Sequence, residues 1–342
     1  MAFNNRNNFR TYRDPNKKKF NLYEFLSGDR NQNGVSKEDR ITDYNLINFF
    51  KLYFRNFGKI VGLNLLYLLG NFPVLFYLFA RSGNVSQQTL APVSTLFAPL
   101  HGVALSGGTD PVTCALLGIY GYRTVSYVPT AATYVFMGLA ALVVFTFGIV
   151  NAGTAYLQRN MVRCEPVFFF QDFLHAVKRN WKQALPFGII DCIWIALLFY
   201  DIYFFYYNIG PFINNVFFYL ILACTVFSFV MRFYLYLMMV TFDLSIPKLI
   251  KNAFIFSIIG IKRNILAILG MALFCAACYA IFTVYVPLGA LLPIFLMIST
   301  MTFMATYAAY PKIKEIMIDP YEAEHPKDPE PEQEDAVFRD RG

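Results

Sequence analysis

The sequence predicts an all-α, polytopic transmembrane helical bundle, with about six spans and interfacial amphipathic helices. Three observations predict this fold class. Of the 342 residues, 57% are hydrophobic and only 15% are charged, whereas soluble domains carry about 25% charged residues. The mean hydropathy is +0.44. Several runs of about 20 mostly apolar residues are long enough to cross a hydrocarbon layer about 30 Å thick.

The N-terminal segment, 1–43, is basic and polar. Its start, MAFNNRNNFRTYRDPNKKKF, is rich in Asn, and this composition predicts partial disorder. No apolar core follows a basic start here, so we expect no cleavable signal peptide. The first span is then expected to act as its own insertion signal.

The stretch DRNQNGVSKEDR, from Asp29 to Arg40, begins like an EF-hand calcium loop. Its opening D-x-N-x-N-G fits the first six positions of such a loop. Arg40, however, occupies the last position, where calcium requires a bidentate Glu. A Gly/Asn turn is therefore favoured over a calcium site, and no metal site is expected.

An amphipathic helix is predicted from Tyr44, in DYNLINFFKLYFRNFGK. Its aromatic and aliphatic residues fall at helical spacing against Lys51, Arg55 and Lys59, a pattern typical of a helix lying in the headgroup plane. It opens a transmembrane domain expected to cover 44–312. The predicted spans are 59–80, 131–151, 184–206, 214–240, 264–285 and 287–309.

Basic residues alternate between the connections, which predicts the orientation. Loop 81–130 has two Lys or Arg residues, 152–183 has five, 207–213 has none and 241–263 has four. Both termini are therefore expected in the cytoplasm, with the protein multi-pass in the cell membrane. Because the net charge of +7 is concentrated beside the spans, it indicates contact with anionic headgroups and the lipid bilayer, and no nucleic acid partner is expected.

Two further regions have distinct compositions. Loop 81–130 is long, nearly uncharged and predicted to face outward; TLFAPLHGVALSGG and PVTCALLGIYGY within it are too short for spans and suit re-entrant or interfacial segments. The tail, 313–342, is acidic and rich in Pro, and is predicted to be disordered.

A short pattern recurs in FRNFGK, KRNWKQ and IKRNIL. Each places a basic residue and an Asn before an outward-going span, which makes Asn56, Asn180 and Asn264 candidates for helix N-caps. Convergent interfacial chemistry is favoured over gene duplication as its origin. The cations expected at the cytoplasmic interface, facing lipid, are Arg55, Lys178, Arg179, Lys182, Lys262 and Arg263.

Charged and polar residues within the spans mark either pathways or pairs. Asp191 and Arg232 are predicted at similar depths in antiparallel neighbouring spans, so an intramembrane ion pair is expected. A structural pair is favoured over a transport role, and both interpretations stay open. Asn64, Asn71 and Pro73 in the first span suit either a broken helix lining a cavity or ordinary packing, and packing is favoured.

No pattern in the sequence indicates catalysis. There is no Walker loop, zinc signature or nucleophile elbow, so no catalytic residue and no cofactor is expected. Asp172 and His175 lie three residues apart and suit an acid–base pair, although the polar side of an interfacial helix is the favoured interpretation. Cys275 and Cys278 suit close helix packing.

Four runs together resemble one known family. GVSKEDR, FFKLYFRNFGKIVGLNLLYLLGNFP, AGTAYLQRNMVRCEPVFFFQDFLHAVKRNWKQALPFGIID and FDLSIPKLIKNAFIFSIIGIKRN are similar to the YesL-like bacterial integral membrane proteins, a domain of unknown function. The resemblance covers most of 34–310, and the third run is its most specific part.

The resemblance implies a role linked to carbohydrate uptake or utilisation, because genes for these proteins often lie beside genes for sugar uptake. It carries over no catalytic residues. We therefore expect a non-enzymatic accessory component, whose partner would be an ABC sugar transporter or another membrane protein. The alternative is a secondary transporter or permease-like protein that uses the Asp191 and Arg232 region, and a membrane enzyme built on Asp172 and His175 is the third choice.

Overall fold

The computed structural model describes residues 43–107 and 110–325. Most of this backbone is helical. In chain order its elements are α1 (Leu46–Arg55), α2 (Phe57–Gly70), α3 (Pro73–Arg81), β1 (Ser86–Pro92), α4 (Phe97–Gly107), α5 (Pro111–Tyr120), β2 (Arg123–Pro129), α6 (Ala131–Ala140), α7 (Val143–Val162), α8 (Phe169–Tyr207), α9 (Phe212–Met239), α10 (Ile246–Ile259), α11 (Ile261–Val284), α12 (Val286–Leu292), a π-helical turn (Pro293–Met297), α13 (Ile298–Ile313), a second π-helical turn (Lys314–Ile318) and α14 (Asp319–Glu324).

Helices long and apolar enough to cross a membrane dominate the described residues. Five continuous stretches qualify, and α2 with α3 forms a sixth that is bent by 67°. The predicted all-α membrane bundle is thus confirmed. A stretch that could span a membrane lies at each of the six predicted places, and the first of these stretches is broken by the bend between α2 and α3. The five continuous stretches are Ala131–Val162, Phe169–Tyr207, Phe212–Met239, Ile261–Val284 and Val286–Glu324.

The predicted amphipathic helix before the first span is present as α1. The side chain of Asn45 caps its start by accepting the backbone N–H of Asn48 at 2.8 Å. One side of α1 buries Phe49, Leu52 and Tyr53, and the other side leaves apolar residues exposed. A helix of this kind suits the boundary between lipid and water.

The region 81–130 contains more regular structure than its composition indicates. The strands β1 and β2 pair antiparallel, with Ser86 opposite Pro129 and Pro92 opposite Arg123. The two short apolar segments form α4 and α5 between them. Asp110 caps α5, and the backbone N–H groups of Thr113 and Val112 hold the pKa of this carboxyl below its usual value. The strands were not predicted.

The structure differs from the predicted bounds of two segments. In the predicted connection 152–183 the helix expected around Asp172 and His175 is present, but it is the start of α8, and α7 continues to Val162 instead of ending at 151. The predicted disordered tail begins too early, because the chain stays helical to Glu324. Residues 326–342, and the stretch from Asp29 to Arg40 examined for calcium binding, lie outside the described residues.

The chain forms two compact units. The first comprises the described parts of Met1–Leu66, Ala152–Asn180 and Ala223–Gly342, and the second comprises Tyr67–Asn151 and Trp181–Leu222. The first unit contains most of the buried polar side chains that are candidates for function.

Candidate functional site: a cation cluster and a polar seam

Two arginine side chains of the first unit contact the same tyrosine ring and donate to the same carbonyl oxygen. The guanidinium carbon of Arg159 lies 4.5 Å from the centroid of the Tyr156 ring, and that of Arg179 lies 5.5 Å from it. Both guanidinium groups donate to the backbone carbonyl of Val240, each at 2.8 Å. The His175 ring centroid is 6.4 Å from that of Tyr156. These five residues are called the cation cluster below.

The elements of the fold explain why the cluster forms here. Tyr156 and Arg159 are three residues apart on one face of α7, and His175 and Arg179 are four apart on one face of α8. Val240 directly follows α9, so its carbonyl is one of those that a helix end leaves without an intrahelical partner. Cations are favoured at this end because the helix dipole is negative there.

Arg159 is buried, with 7% of its surface exposed. Its Nε and Nη2 donate to the Asn160 side-chain oxygen at 3.2 and 3.0 Å, and its Nη1 also reaches the Thr241 hydroxyl at 3.4 Å. The acceptors of this cation are therefore neutral oxygens. In a membrane protein a buried cation more often pairs with an acid. In the sequence Arg159 falls within the predicted loop 152–183, where nothing distinguishes it from the neighbouring cations.

The end of α7 is fixed by a left-handed turn beside the cluster. Cys164 has a φ of +58°, and the N–H of Glu165 bonds the carbonyl of Asn160 at 2.9 Å, the pattern that commonly closes a helix. The Cys164 sulfur accepts a hydrogen bond from Nη2 of Arg55 at 2.9 Å. The neighbouring Arg163 pairs with Glu165 at 2.8 Å.

A second set of polar side chains, the polar seam, joins α2, α7 and α13. The amide nitrogen of Asn64 donates to the carbonyls of Pro293 and Ile294 at 2.9 and 2.7 Å, and its oxygen accepts the N–H of Ser299 at 2.8 Å. These partners lie in and just after the first π-helical turn. Asn64 has no exposed surface. It therefore completes the hydrogen bonds that this turn leaves open inside the membrane.

Gln158 extends the seam from α7. Its amide nitrogen donates to the Thr302 hydroxyl at 2.7 Å, and its oxygen accepts the Thr306 hydroxyl at 3.2 Å. On the α1 side, the hydroxyls of Tyr53 and Thr300 lie 3.0 Å apart. Every buried side-chain nitrogen or oxygen in the described part of the chain has a hydrogen-bond partner. The seam therefore joins the helices, and its buried polar atoms are all hydrogen-bonded.

The N-cap prediction is wrong for two of its three residues. Asn180 lies inside α8, which begins eleven residues earlier, and donates to the Ala176 carbonyl. Asn264 is the fourth residue of α11, whose N-cap position is occupied by Gly260. Asn56 directly precedes α2, but its side-chain nitrogen donates back to Leu52 and so caps the end of α1.

Asn264 instead joins three helices. Its oxygen accepts the Tyr234 hydroxyl of α9 at 2.8 Å, and its nitrogen donates to the Ser257 carbonyl of α10 at 3.0 Å. Tyr234 and Asn264 are both buried. The pair therefore fixes α9 against the start of α11.

Tyr234→Phe is expected to lower the free energy of unfolding by about 1–2 kcal/mol, because the Asn264 oxygen loses its buried donor. Tyr219→Phe is the matched control, since Tyr219 lies on the same helix and is 68% exposed; it should change stability by less than about 0.5 kcal/mol. Unfolding in mixed detergent micelles, followed by circular dichroism, compares the two variants. Equal losses would contradict the assignment.

The predicted interfacial cations divide into two kinds. Lys178, Lys182 and Lys262 are exposed, as expected for residues facing lipid or water. Arg263 is half-buried and donates to the Tyr44 carbonyl at 2.6 Å, so this cation fixes the chain before α1. Burial raises the pKa of Tyr44. Arg55 and Arg179, both exposed, donate to protein groups as described above.

The predicted ion pair stays a prediction. Asp191 is 5% exposed within α8, and the guanidinium of Arg232, in α9, lies 5.9 Å from the ring centroid of Tyr236 on its own helix. Asp172 accepts the N–H of Phe168 at 2.8 Å and so caps the start of α8. Among the described residues, no group of three or more His, Cys, Asp or Glu residues is placed to hold a metal ion.

Comparison with known proteins gives one finding for this chain. Residues 128–202 match the family model described as protein of unknown function, DUF624, which is the family of YesL-like membrane proteins. No curated protein and no solved structure matches. The matched segment contains the third of the four quoted runs and the four side chains of the cation cluster, Tyr156, Arg159, His175 and Arg179. Over residues 128–202, which run from the end of β2 through most of α8, the chain is therefore similar to the DUF624 proteins of unknown function.

Proposed function

We propose that the protein is a non-enzymatic membrane component that assists a carbohydrate-uptake system. The link to carbohydrate rests on the resemblance to YesL-like proteins. We further propose that it lies in the cell membrane with both termini in the cytoplasm, as the distribution of Lys and Arg favours. Its contact surface for the partner would then be on the inner side.

The observation that carries the accessory role is the exposed side of α10. This helix has 14 residues, too few to cross a membrane. It buries Leu249, Ala253 and Phe256 against the first unit. Its other side leaves Phe254 49% and Ile258 51% exposed, beside exposed Lys248 and Lys251. An apolar stripe flanked by cations suits the lipid–water boundary, as for α1, and also suits docking against another membrane protein; we propose docking for α10, which the crosslinking experiment below tests.

The polar seam also supports an accessory role rather than transport. Its side chains form hydrogen bonds with one another and with backbone groups of α2, α7 and α13, and these bonds stabilise the packing of the three helices. None of the seam side chains is an Asp, Glu, Lys, Arg or His, the residues that most often mark substrate and ion pathways within membranes.

Site-specific crosslinking tests the accessory role. A photoreactive amino acid at Phe254 of the full chain, in membranes of the native host, is expected to capture a subunit of an ABC sugar transporter. The control is the same amino acid at Tyr219, an exposed aromatic residue of α9, which should capture no such subunit. Capture at neither position, or equally at both, would contradict the proposal.

Transport is the second candidate, and the buried carboxylate of Asp191 favours it. Reconstitution into liposomes separates the two functions. The accessory role predicts no solute flux above that of empty liposomes. Sugar flux that Asp191→Asn abolishes would establish transport instead.

A further inference from the structure

We propose that Arg179, held beside Arg159 by the Val240 carbonyl and the Tyr156 ring, binds the phosphate group of a phospholipid. The inference concerns the exposed side of the cation cluster. It does not depend on the proposed accessory function.

The charge balance around the cluster favours an anion. Arg159, Arg163 and Arg179 lie in one neighbourhood with Glu165, which pairs with Arg163. Asp243, three residues beyond Val240, is exposed, so three cations stand against at most two acids. The nearest acid along α8, Asp172, is engaged with the backbone N–H of Phe168. The hydrogen bonds of Arg159 and Arg179 all go to neutral oxygens in the described part of the chain.

The two arginines have different roles in this site. Arg159 is buried and directs its N–H groups to Val240, Asn160 and Thr241. Arg179 is exposed, and its one hydrogen bond among the described residues goes to Val240. A guanidinium group has five N–H donors, so most donors of Arg179 are available to a ligand.

The geometry of Arg179 suits a phosphate. Its planar fork of N–H donors matches two phosphate oxygens at once. The Val240 carbonyl and the Tyr156 ring already restrict the side chain, so less conformational entropy is lost when a ligand binds. Arg159 stays within reach as a second positive charge, which strengthens attraction for an anion.

The depth of the site points to a lipid as the source of the phosphate. Arg179 precedes the apolar span predicted at 184–206 by five residues, or about 7–8 Å along a helix. Arg159 is three residues from the end of α7, and Val240 directly follows α9. All three therefore lie at the helix ends that are expected to leave the hydrocarbon core and enter the headgroup layer, which contains the lipid phosphates.

Lipid binding to the detergent-purified full chain tests the proposal. Native mass spectrometry with phosphatidylglycerol is expected to show binding to Arg179→Gln about tenfold weaker than to the unaltered chain. Arg179→Lys should lie between the two, because it keeps the charge and loses the fork. Lys178→Gln is the matched control: Lys178 is an exposed cation at the adjacent position, and its loss should leave binding within about twofold.

Two outcomes would contradict the site at Arg179. The first is that Arg179→Gln binds phosphatidylglycerol as well as the unaltered chain does; the second is that Lys178→Gln loses as much binding as Arg179→Gln. Inorganic phosphate is titrated separately in lipid-free detergent, where no Arg179-dependent binding is expected. If inorganic phosphate binds in an Arg179-dependent way and phosphatidylglycerol does not, the proposal that the phosphate belongs to a lipid would be wrong. If Arg179→Gln does not fold, Arg179→Lys is compared with Lys178→Gln by the same criteria.

Discussion

Asn64→Leu is expected to lower the free energy of unfolding by about 3 kcal/mol or more, because it removes three hydrogen bonds to backbone groups and leaves the N–H of buried Ser299 without its acceptor. The carbonyls of Pro293 and Ile294 lose their donor, and the N–H of Ser299 loses its acceptor. Water cannot replace these bonds inside the hydrocarbon layer. Unfolding in mixed detergent micelles, followed by circular dichroism, measures the effect.

Asn208→Leu is the control for this substitution. The amide nitrogen of Asn208 also donates to a backbone carbonyl, that of Phe204 at 2.7 Å, but the residue is exposed at the end of α8. It should change stability by less than about 0.5 kcal/mol. Asn64→Asp should be no better than Asn64→Leu, since a carboxylate would then face two carbonyl oxygens. A small loss for both Asn64 variants would show that the polar seam does not stabilise the first unit.

Gly148→Ala is expected to destabilise the second unit by about 2–4 kcal/mol, a large effect for a single added methyl group. Gly148 of α7 and Gly188 of α8 meet where the two helices cross. A Cβ atom on Gly148 would overlap the Ala184 carbonyl oxygen and the Gly188 Cα atom. Because both are backbone atoms, the helices would have to separate, and separation loses the packing that small residues permit in membranes.

Gly138→Ala provides the matched comparison. Gly138 lies in α6, and a Cβ atom there meets nothing within 4 Å. Its substitution should be neutral or stabilising by about 0.5–1 kcal/mol, since Ala is the better helix former. Similar stability for the two variants, measured by thermal unfolding in detergent, would contradict the close crossing of α7 and α8.

The sequence predicts the spans well because hydropathy over about 20 residues reports directly on the lipid environment. It predicts their ends less well. The polar residues Thr154 and Gln158 lower the hydropathy of α7 without ending the helix, which is why hydropathy predicts a loop here. The i, i+4 spacing of Thr154 and Gln158 fits one face of a helix, as does the i, i+3 spacing of Tyr156 and Arg159. These spacings are the signal in the sequence for the end of α7.

Other features leave little trace in the sequence. The strand SQQTLAP lacks the alternation of apolar and polar residues that indicates a strand, and in RTVSYVP the alternation covers only four residues, Thr124 to Tyr127. A π-helical turn shifts hydrogen bonds but leaves hydropathy unchanged, and the partners of Asn64 are more than 200 residues away. The cation cluster likewise depends on contacts among three separate helices. Such contacts require the tertiary structure.

Cysteine accessibility tests the central claim most directly, namely that the chain crosses the membrane with its cationic helix ends on the inner side. In intact cells, a membrane-impermeant thiol reagent is applied to two single-cysteine chains. One retains only Cys114, which is exposed in α5, and the other carries only Lys178→Cys. The account predicts labelling of Cys114 in intact cells and labelling at position 178 only after the membrane is permeabilised. Labelling at position 178 from outside, with Cys114 protected, would contradict it.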